Sequence, residues 1–143
     1  MYGGLDIAVS GMVAQRVRLN TIAANIANSS ATRDADGNVN PYRRKFTVFM
    51  PGDPNAKNEM GRELGVHVKD ILEDQAPPRK VWDPDHPDAQ PEGSADAGYV
   101  YYPNFNSTME QINALEAQRA YEANVASADA MKSLVAQALR LIS

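Results

Sequence analysis

Residues 5–28, LDIAVSGMVAQRVRLNTIAANIAN, decide the fold of this chain. Apolar and small residues recur there at alternating spacings of three and four, the heptad pattern of a helix that packs along one seam. The seam positions are Leu5, Ala8, Met12, Gln15, Leu19, Ile22 and Ile26. Asn28 can stop this helix because asparagine tolerates the left-handed conformation of a C-terminal cap. The pattern therefore predicts an N-terminal helix at about 5–28. Gly11 inside it is either a point of close helix approach or a tolerated defect.

A second helix is predicted at 107–143. All nine prolines lie between Pro41 and Pro103, so both chain ends lack the residue that breaks helices. Ser107 and Glu110 match a capping box, in which the glutamate reaches back to the first residue of the box. Apolar and small residues flank the seam on both sides, so we expect this helix to touch more than one partner. The seam residues are Ala114, Ala117, Tyr121, Asn124, Ala128, Met131, Val135, Ala138 and Ile142.

The region between the helices is predicted to be β-rich and proline-rich. Alternating or aromatic stretches predict strands at 45–50, 65–72, 80–82 and 99–102, and two segments, 53–58 and 88–97, are expected to be exposed loops. The aromatic residues available for a small core are Phe46, Phe49, Trp82, Tyr99 and Tyr101. We thus predict an α+β fold in which paired, coiled-coil-like terminal helices carry a small β-rich middle. Its parts are 1–28, 29–106 and 107–143.

Composition excludes several classes of function. The formal net charge of −4 and the pI of about 5.1 argue against nucleic-acid binding, which needs excess basic charge. The absence of cysteine excludes disulfides, thiolate metal sites and cysteine nucleophiles. No apolar run reaches the length of a membrane span, so no direct membrane insertion is expected. The first residues also lack the basic start of a cleavable signal peptide.

The sequence offers little for catalysis. The most metal-like cluster is Asp83, Asp85, His86 and Asp88, but two prolines constrain this segment, and a turn with aspartates capping backbone amides is the favoured interpretation. No phosphate-binding loop, nucleophile elbow or paired His–Glu helix motif is present. We therefore predict no enzymatic activity, no catalytic or metal-binding residues and no cofactor.

Several stretches resemble the family of flagellar rod and hook axial proteins. Residues 10–15, SGMVAQ, and 18–28, RLNTIAANIAN, are similar to its N-terminal signature. The stretches that resemble its short proximal-rod members are 41–45, PYRRK; 80–87, KVWDPDHP; 98–100, GYV; 102–104, YPN; and 117–125, AQRAYEANV. The resemblance implies a structural subunit that polymerises through its terminal helices into the proximal rod. It also implies export by the flagellar type III apparatus without a cleaved signal, and assembly in the periplasmic space.

The resemblance implies as partners other copies of the chain and rod proteins of the FlgB, FlgF, FlgG and FliE types. The expected assembly interface consists of Leu5, Met12, Leu19, Ile22, Ile26, Ala117, Tyr121, Asn124, Ala128, Met131, Val135 and Ile142. We expect the helices to pair antiparallel within a subunit, and an amide at Asn124 to fix register. Because alanine buries little area, both helices are expected to be disordered in a monomer. The alternatives are a cytosolic coiled-coil adaptor that forms a closed oligomer and a metal-dependent hydrolase.

Overall fold

The structure is a computed structural model that describes residues 2–143, so residue 1 of the predicted segment 1–28 lies outside it. Along the chain, a long helix at each end flanks four short strands and one short helix. In chain order the elements are α1 (Tyr2–Ala27), β1 (Lys45–Pro51), α2 (Glu59–Leu64), β2 (Val66–Glu73), β3 (Arg79–Trp82), β4 (Tyr99–Tyr102) and α3 (Ser107–Ile142). The predicted α+β fold is confirmed.

The terminal helices form an antiparallel hairpin. Gly4 of α1 lies against Met131 of α3, and Gly11 lies against Asn124. Arg18 lies 3.4 Å from Glu116. Residue numbers therefore rise along α1 as they fall along α3, which makes the helices antiparallel. The side chains buried along the hairpin are small, mainly Ala8, Ala14, Ala117 and Ala128 with Ile22. The prediction that the two helices pair within one subunit is confirmed.

The predicted caps of both helices need correction. Asn106, and not Ser107, caps α3, because its Oδ1 accepts a hydrogen bond from the Thr108 amide at 2.9 Å. Glu110 is withdrawn into the interior and does not complete a capping box. α1 ends at Ala27, next to the predicted stop, but no described non-glycine residue has a positive φ. Asn28 instead donates from Nδ2 to the carbonyl of Ala24 at 2.8 Å.

Two separate antiparallel hairpins form the middle region. β1 pairs with β2 with a register shift between Val48 and Phe49, and β3 pairs with β4. All four strands lie within a residue of their predicted bounds. Helix α2 was not predicted: Asn58, assigned to an exposed loop, caps it by accepting from the Gly61 amide at 2.6 Å. Helix α2 and the β1–β2 hairpin pack against α1.

The predicted aromatic core of the middle region is wrong. Trp82 is 61% exposed and packs edge-on against Tyr99, with ring centroids 5.1 Å apart. Gly98, at φ +82°, allows this because a Cβ there would lie 2.6 Å from the indole ring. Val100 is fully buried, but Phe46 and Phe49 remain half-buried. The part of the middle region that packs on α1 is the β1–β2 hairpin together with α2.

Candidate assembly interface

A buried amide joins α1 to the start of β1 and to α3. Asn25 is 0% exposed, and its Nδ2 donates to the Lys45 carbonyl at 2.7 Å and to Glu110 Oε2 at 2.9 Å. Its Oδ1 accepts from the Tyr42 hydroxyl at 2.9 Å and from the Lys45 amide at 3.0 Å. Both ends of the amide are satisfied, as burial of a polar group requires. Asn25 therefore fixes three segments relative to one another.

The carboxylate in this cluster is held by a cation. Glu110 is 1% exposed, and its Oε1 lies 2.5 Å from Nε of Arg44, which balances its charge inside the protein. Burial, followed by the negative charges of Glu110 and Glu73, raises the pKa of Tyr42 above its usual 10.0, which keeps its hydroxyl a donor. We call Asn25, Tyr42, Arg44 and Glu110 the polar hub.

Asn104 extends the hub to the end of β2 and the start of α3. Its Oδ1 accepts from the Arg44 amide at 3.1 Å. Its Nδ2 donates to the carbonyls of Asp74 and Ala76 at 3.1 and 2.9 Å. One end of the helical hairpin is thus tied to the middle region by hydrogen bonds.

Close contact between the helices occurs at Gly11. A Cβ at this position would lie 2.7 to 2.8 Å from the side-chain amide of Asn124, so only glycine fits without displacing it. Of the two interpretations of Gly11, close helix approach is therefore confirmed. Asn124 donates from Nδ2 to the Ala120 carbonyl at 3.0 Å and is half-buried. Its role in choosing register stays a prediction.

A second side of α1 holds the middle region. The hydroxyl of Ser10 accepts from the Val66 amide at 3.1 Å and donates to the Ile7 carbonyl at 2.7 Å. Asp6 accepts a hydrogen bond from the side-chain amide of Asn58 at the start of α2. Because α1 is covered on two sides, it needs small and polar residues as well as apolar ones.

The structure places most of the expected interface residues in the seam within one subunit. Ile22, Ala117 and Ala128 are buried there, and Ile142 is 83% exposed. The half-buried members are Leu5, Met12, Leu19, Ile26, Tyr121, Asn124, Met131 and Val135. A contribution of these residues to contacts between subunits stays a prediction.

Large apolar side chains outside the seam are exposed. On α1 these are Val9 at 41% and Val13 at 46%. On α3 they occur near both ends, at Met109, Ile112, Leu115, Leu134, Leu139 and Leu141. The width of the apolar arc on α3 is the sequence signal for such a second surface. The residues expected at the assembly interface include Ile142 but none of the other exposed apolar residues.

Side chains of segment 83–88, which contains the candidate metal ligands, form hydrogen bonds and an ion pair within the protein. The Thr32 hydroxyl donates to Asp88 at 2.5 Å, and Arg33 forms an ion pair with the same carboxylate. These contacts, the Thr32 bond foremost, lower the pKa of Asp88 despite its burial. His86 accepts from the Asp88 amide at 3.0 Å. Within residues 2–143 no group of three or more metal-ligating side chains is arranged to hold an ion.

Comparison with known proteins shows which family of proteins the chain is similar to. Residues 5–33 match the family described as "Flagella basal body rod protein". Proteins named flagellar basal-body rod protein FlgC are similar along nearly the whole chain. The relative from Borreliella burgdorferi is 36% identical, covering 99% of this chain and 97% of its own. The relative from Escherichia coli O157:H7 is 39% identical over 95% and 93%, and that from Bacillus subtilis is 33% identical over 98% and 97%.

A helical hairpin with exposed apolar flanks and relatives of this kind define a structural subunit of the flagellar rod, and not an enzyme. The chain belongs to the FlgC family of flagellar basal-body rod proteins. Among residues 2–143, no helix combines the length and apolarity needed to cross a bilayer.

Proposed function

We propose that this chain polymerises through its terminal helices, forming part of the proximal rod that acts as a drive shaft for motor torque. The observation that carries this proposal is the surface area. The chain exposes 9349 Å². A compact monomer of 15.6 kDa is expected to expose only about 7,200 Å². The excess surface area indicates an elongated subunit. Other subunits can cover its exposed apolar flanks.

The outer surfaces of both helices support polymerisation. Val9 and Val13 lie one helical turn apart on α1 and are 41% and 46% exposed. Met109 and Ile112 are similarly exposed on α3, at 53% and 52%. Each buried methylene contributes about 0.8 kcal/mol of stability. An assembly that covers these side chains is therefore stabilised by their burial. We propose other copies of this chain and FlgB-, FlgF-, FlgG- and FliE-type rod proteins as the neighbours.

We further propose that the protein reaches the periplasmic space through the flagellar type III export apparatus with α1 retained. α1 supplies Ser10 and Asn25, which hold the middle region and α3 respectively. Removal of this helix as a signal peptide would therefore destroy the fold. The mass of the assembled protein, measured in isolated basal bodies, tests this directly.

Substitution of one exposed valine tests the polymerisation. Val13→Asp places a charge on the outer face of α1, and Val39→Asp places the same charge at a similarly exposed position, 46% against 44%, in the loop after α1. In a host that lacks its own rod protein of this family, we expect Val39→Asp to restore motility and Val13→Asp to fail, with both purified proteins folded. Normal rods built from Val13→Asp would contradict the proposal. A wild-type mass that stops at a dimer or trimer would favour the adaptor alternative.

A further inference from the structure

The segment from Arg79 to Tyr102, which we call the arm, is a separate body within the middle region. Its strands β3 and β4 pair with each other, but among residues 2–143 neither makes more than a minor contact with a helix or with β1 and β2. The β1–β2 hairpin, by contrast, packs on α1. An isolated two-stranded hairpin is at best marginally stable in water, so the arm needs support from its own loop.

The loop between β3 and β4 folds back on these strands and supplies that support. The Gln90 amide donates a hydrogen bond to the Tyr99 carbonyl at 2.9 Å. Asp96 forms an ion pair with Lys80 at 2.8 Å and accepts a hydrogen bond from the hydroxyl of Tyr101. The arm therefore holds its shape by contacts within itself.

One carboxylate connects the arm to the rest of the described chain. Within residues 2–143, every hydrogen bond and ion pair between the arm and residues outside it involves Asp88. The Thr32 hydroxyl donates to Asp88 Oδ2 at 2.5 Å, and Arg33 forms an ion pair with Oδ1. The Oδ1 atom is shielded from water, so Arg33 is the group that balances its charge. Because Thr32 and Arg33 lie in the loop after α1, Asp88 ties the arm to the end of that helix.

The chain enters and leaves the arm at a second point, which we call its base. There the side-chain amide of Asn104 donates to the carbonyls of Asp74 and Ala76 at 3.1 and 2.9 Å. The Oδ1 atom of Asn104 accepts from the Arg44 amide at 3.1 Å, which places the base beside the polar hub. A body attached at one point can turn about it, whereas a second attachment fixes its orientation. The orientation of the arm therefore depends on Asp88.

The bonds of Asp88 suit a connection that holds and can also be opened. The Thr32 hydroxyl foremost, and then Arg33, lower the pKa of Asp88, so the carboxylate is charged at neutral pH. Hydrogen bonds to a charged group are stronger than those between neutral groups. The side chain of Arg33 is 48% exposed, however, so charged groups of a neighbouring molecule can compete with Asp88 for it.

We propose that Asp88 is a latch, whose bonds to Thr32 and Arg33 hold the arm in one orientation, and that the arm turns about its base as one body when they break. This inference rests on the proposed function for its use. The proposed neighbours are of several kinds, and an arm with more than one orientation can meet unlike neighbours while the helical hairpin keeps its shape. A neighbour turns the arm only if it binds the turned orientation more tightly.

Pulsed electron paramagnetic resonance tests the latch on the purified full chain. Because the natural chain has no cysteine, spin labels attach only where one is introduced. Labels at Glu92→Cys in the arm and Lys69→Cys on β2, both exposed positions, report the distance between the arm and the β1–β2 hairpin. We expect one narrow distance distribution in the otherwise natural chain, and a broad or doubled one when Thr32→Val and Asp88→Asn are combined. Hydrogen exchange within the arm should keep its natural rate, since the arm retains its own contacts.

Asp85→Asn is the matched control, because it removes the same charge at an exposed position of the same loop, outside the latch. It should leave the narrow distribution unchanged. An unchanged distribution in the chain with Thr32→Val and Asp88→Asn would overturn the inference, as would a distribution already broad in the natural chain. Faster exchange throughout the arm would also overturn it, because the arm would then unfold and not turn. Failure of the natural chain to build rods would contradict the proposed function and the use of the latch in it, but not the latch measured on the purified chain.

Discussion

Replacement of Asn25 by alanine is expected to be among the most damaging single substitutions in α1. The amide makes four hydrogen bonds at 2.7 to 3.0 Å, and one of its partners is the buried carboxylate of Glu110. At about 1 kcal/mol for each bond, and more for the charged partner, the loss is about 4 kcal/mol. A domain of ordinary stability, about 5–15 kcal/mol, would lose a large part of it. Urea unfolding followed by circular dichroism measures the loss.

Asn20→Ala is the matched control because Asn20 is exposed on the same helix. Both variants gain the same helix propensity, so the difference between them isolates the buried contacts. A difference below about 1 kcal/mol would refute the assigned role of the polar hub. Asn25→Ala combined with Glu110→Gln provides a second check, since residues that share a hydrogen bond should cost less together than the sum of the single changes.

Three further predictions follow from particular contacts. Gly11→Ala should destabilise the hairpin by about 1–3 kcal/mol despite the better helix propensity of alanine, and combination with Asn124→Ala should restore most of the loss in urea unfolding. Because the pKa of Tyr42 is raised, its folded-state stabilisation is complete below pH 10.0 and is lost as pH rises through the higher folded value. Stability measured above pH 10.0 should therefore fall more steeply in the natural protein than in Tyr42→Phe. The alanine-rich seams lead us to expect disordered helices in the monomer, but the contacts of α1 with β2 predict that these two elements lose protection together in hydrogen exchange, with residues 134–142 exchanging fastest. Slow exchange in β2 while α1 exchanges rapidly would show that the middle region folds by itself.

The sequence predicted elements whose signals are local and missed contacts that depend on distant residues. Proline-free heptads located both long helices, and alternation located the strands. The Ser107–Glu110 motif was misinterpreted because the carboxylate of Glu110 bonds to Asn25, 85 residues away, and no local pattern contains that partner. Helix α2 is only six residues long and includes Gly61, so its propensity signal is weak. Trp82 was assigned to a core on the general tendency of aromatic residues, but it packs on Tyr99 and stays 61% exposed.

Alanines and polar residues contribute differently to the register of the helical hairpin, which is the alignment of α3 along α1. Alanines allow close approach, but a slide of α3 by one heptad would leave a largely apolar seam and cost little there. The same slide would move Glu110 about 10 Å from Asn25 and leave buried polar groups without partners, at about 1–3 kcal/mol each. It would also bring Met131, in place of Asn124, against Gly11. The hub and the glycine contact therefore resist sliding of one helix along the other. In the polymer that we propose, this resistance would keep the outer faces of α1 and α3 at fixed heights along the axis.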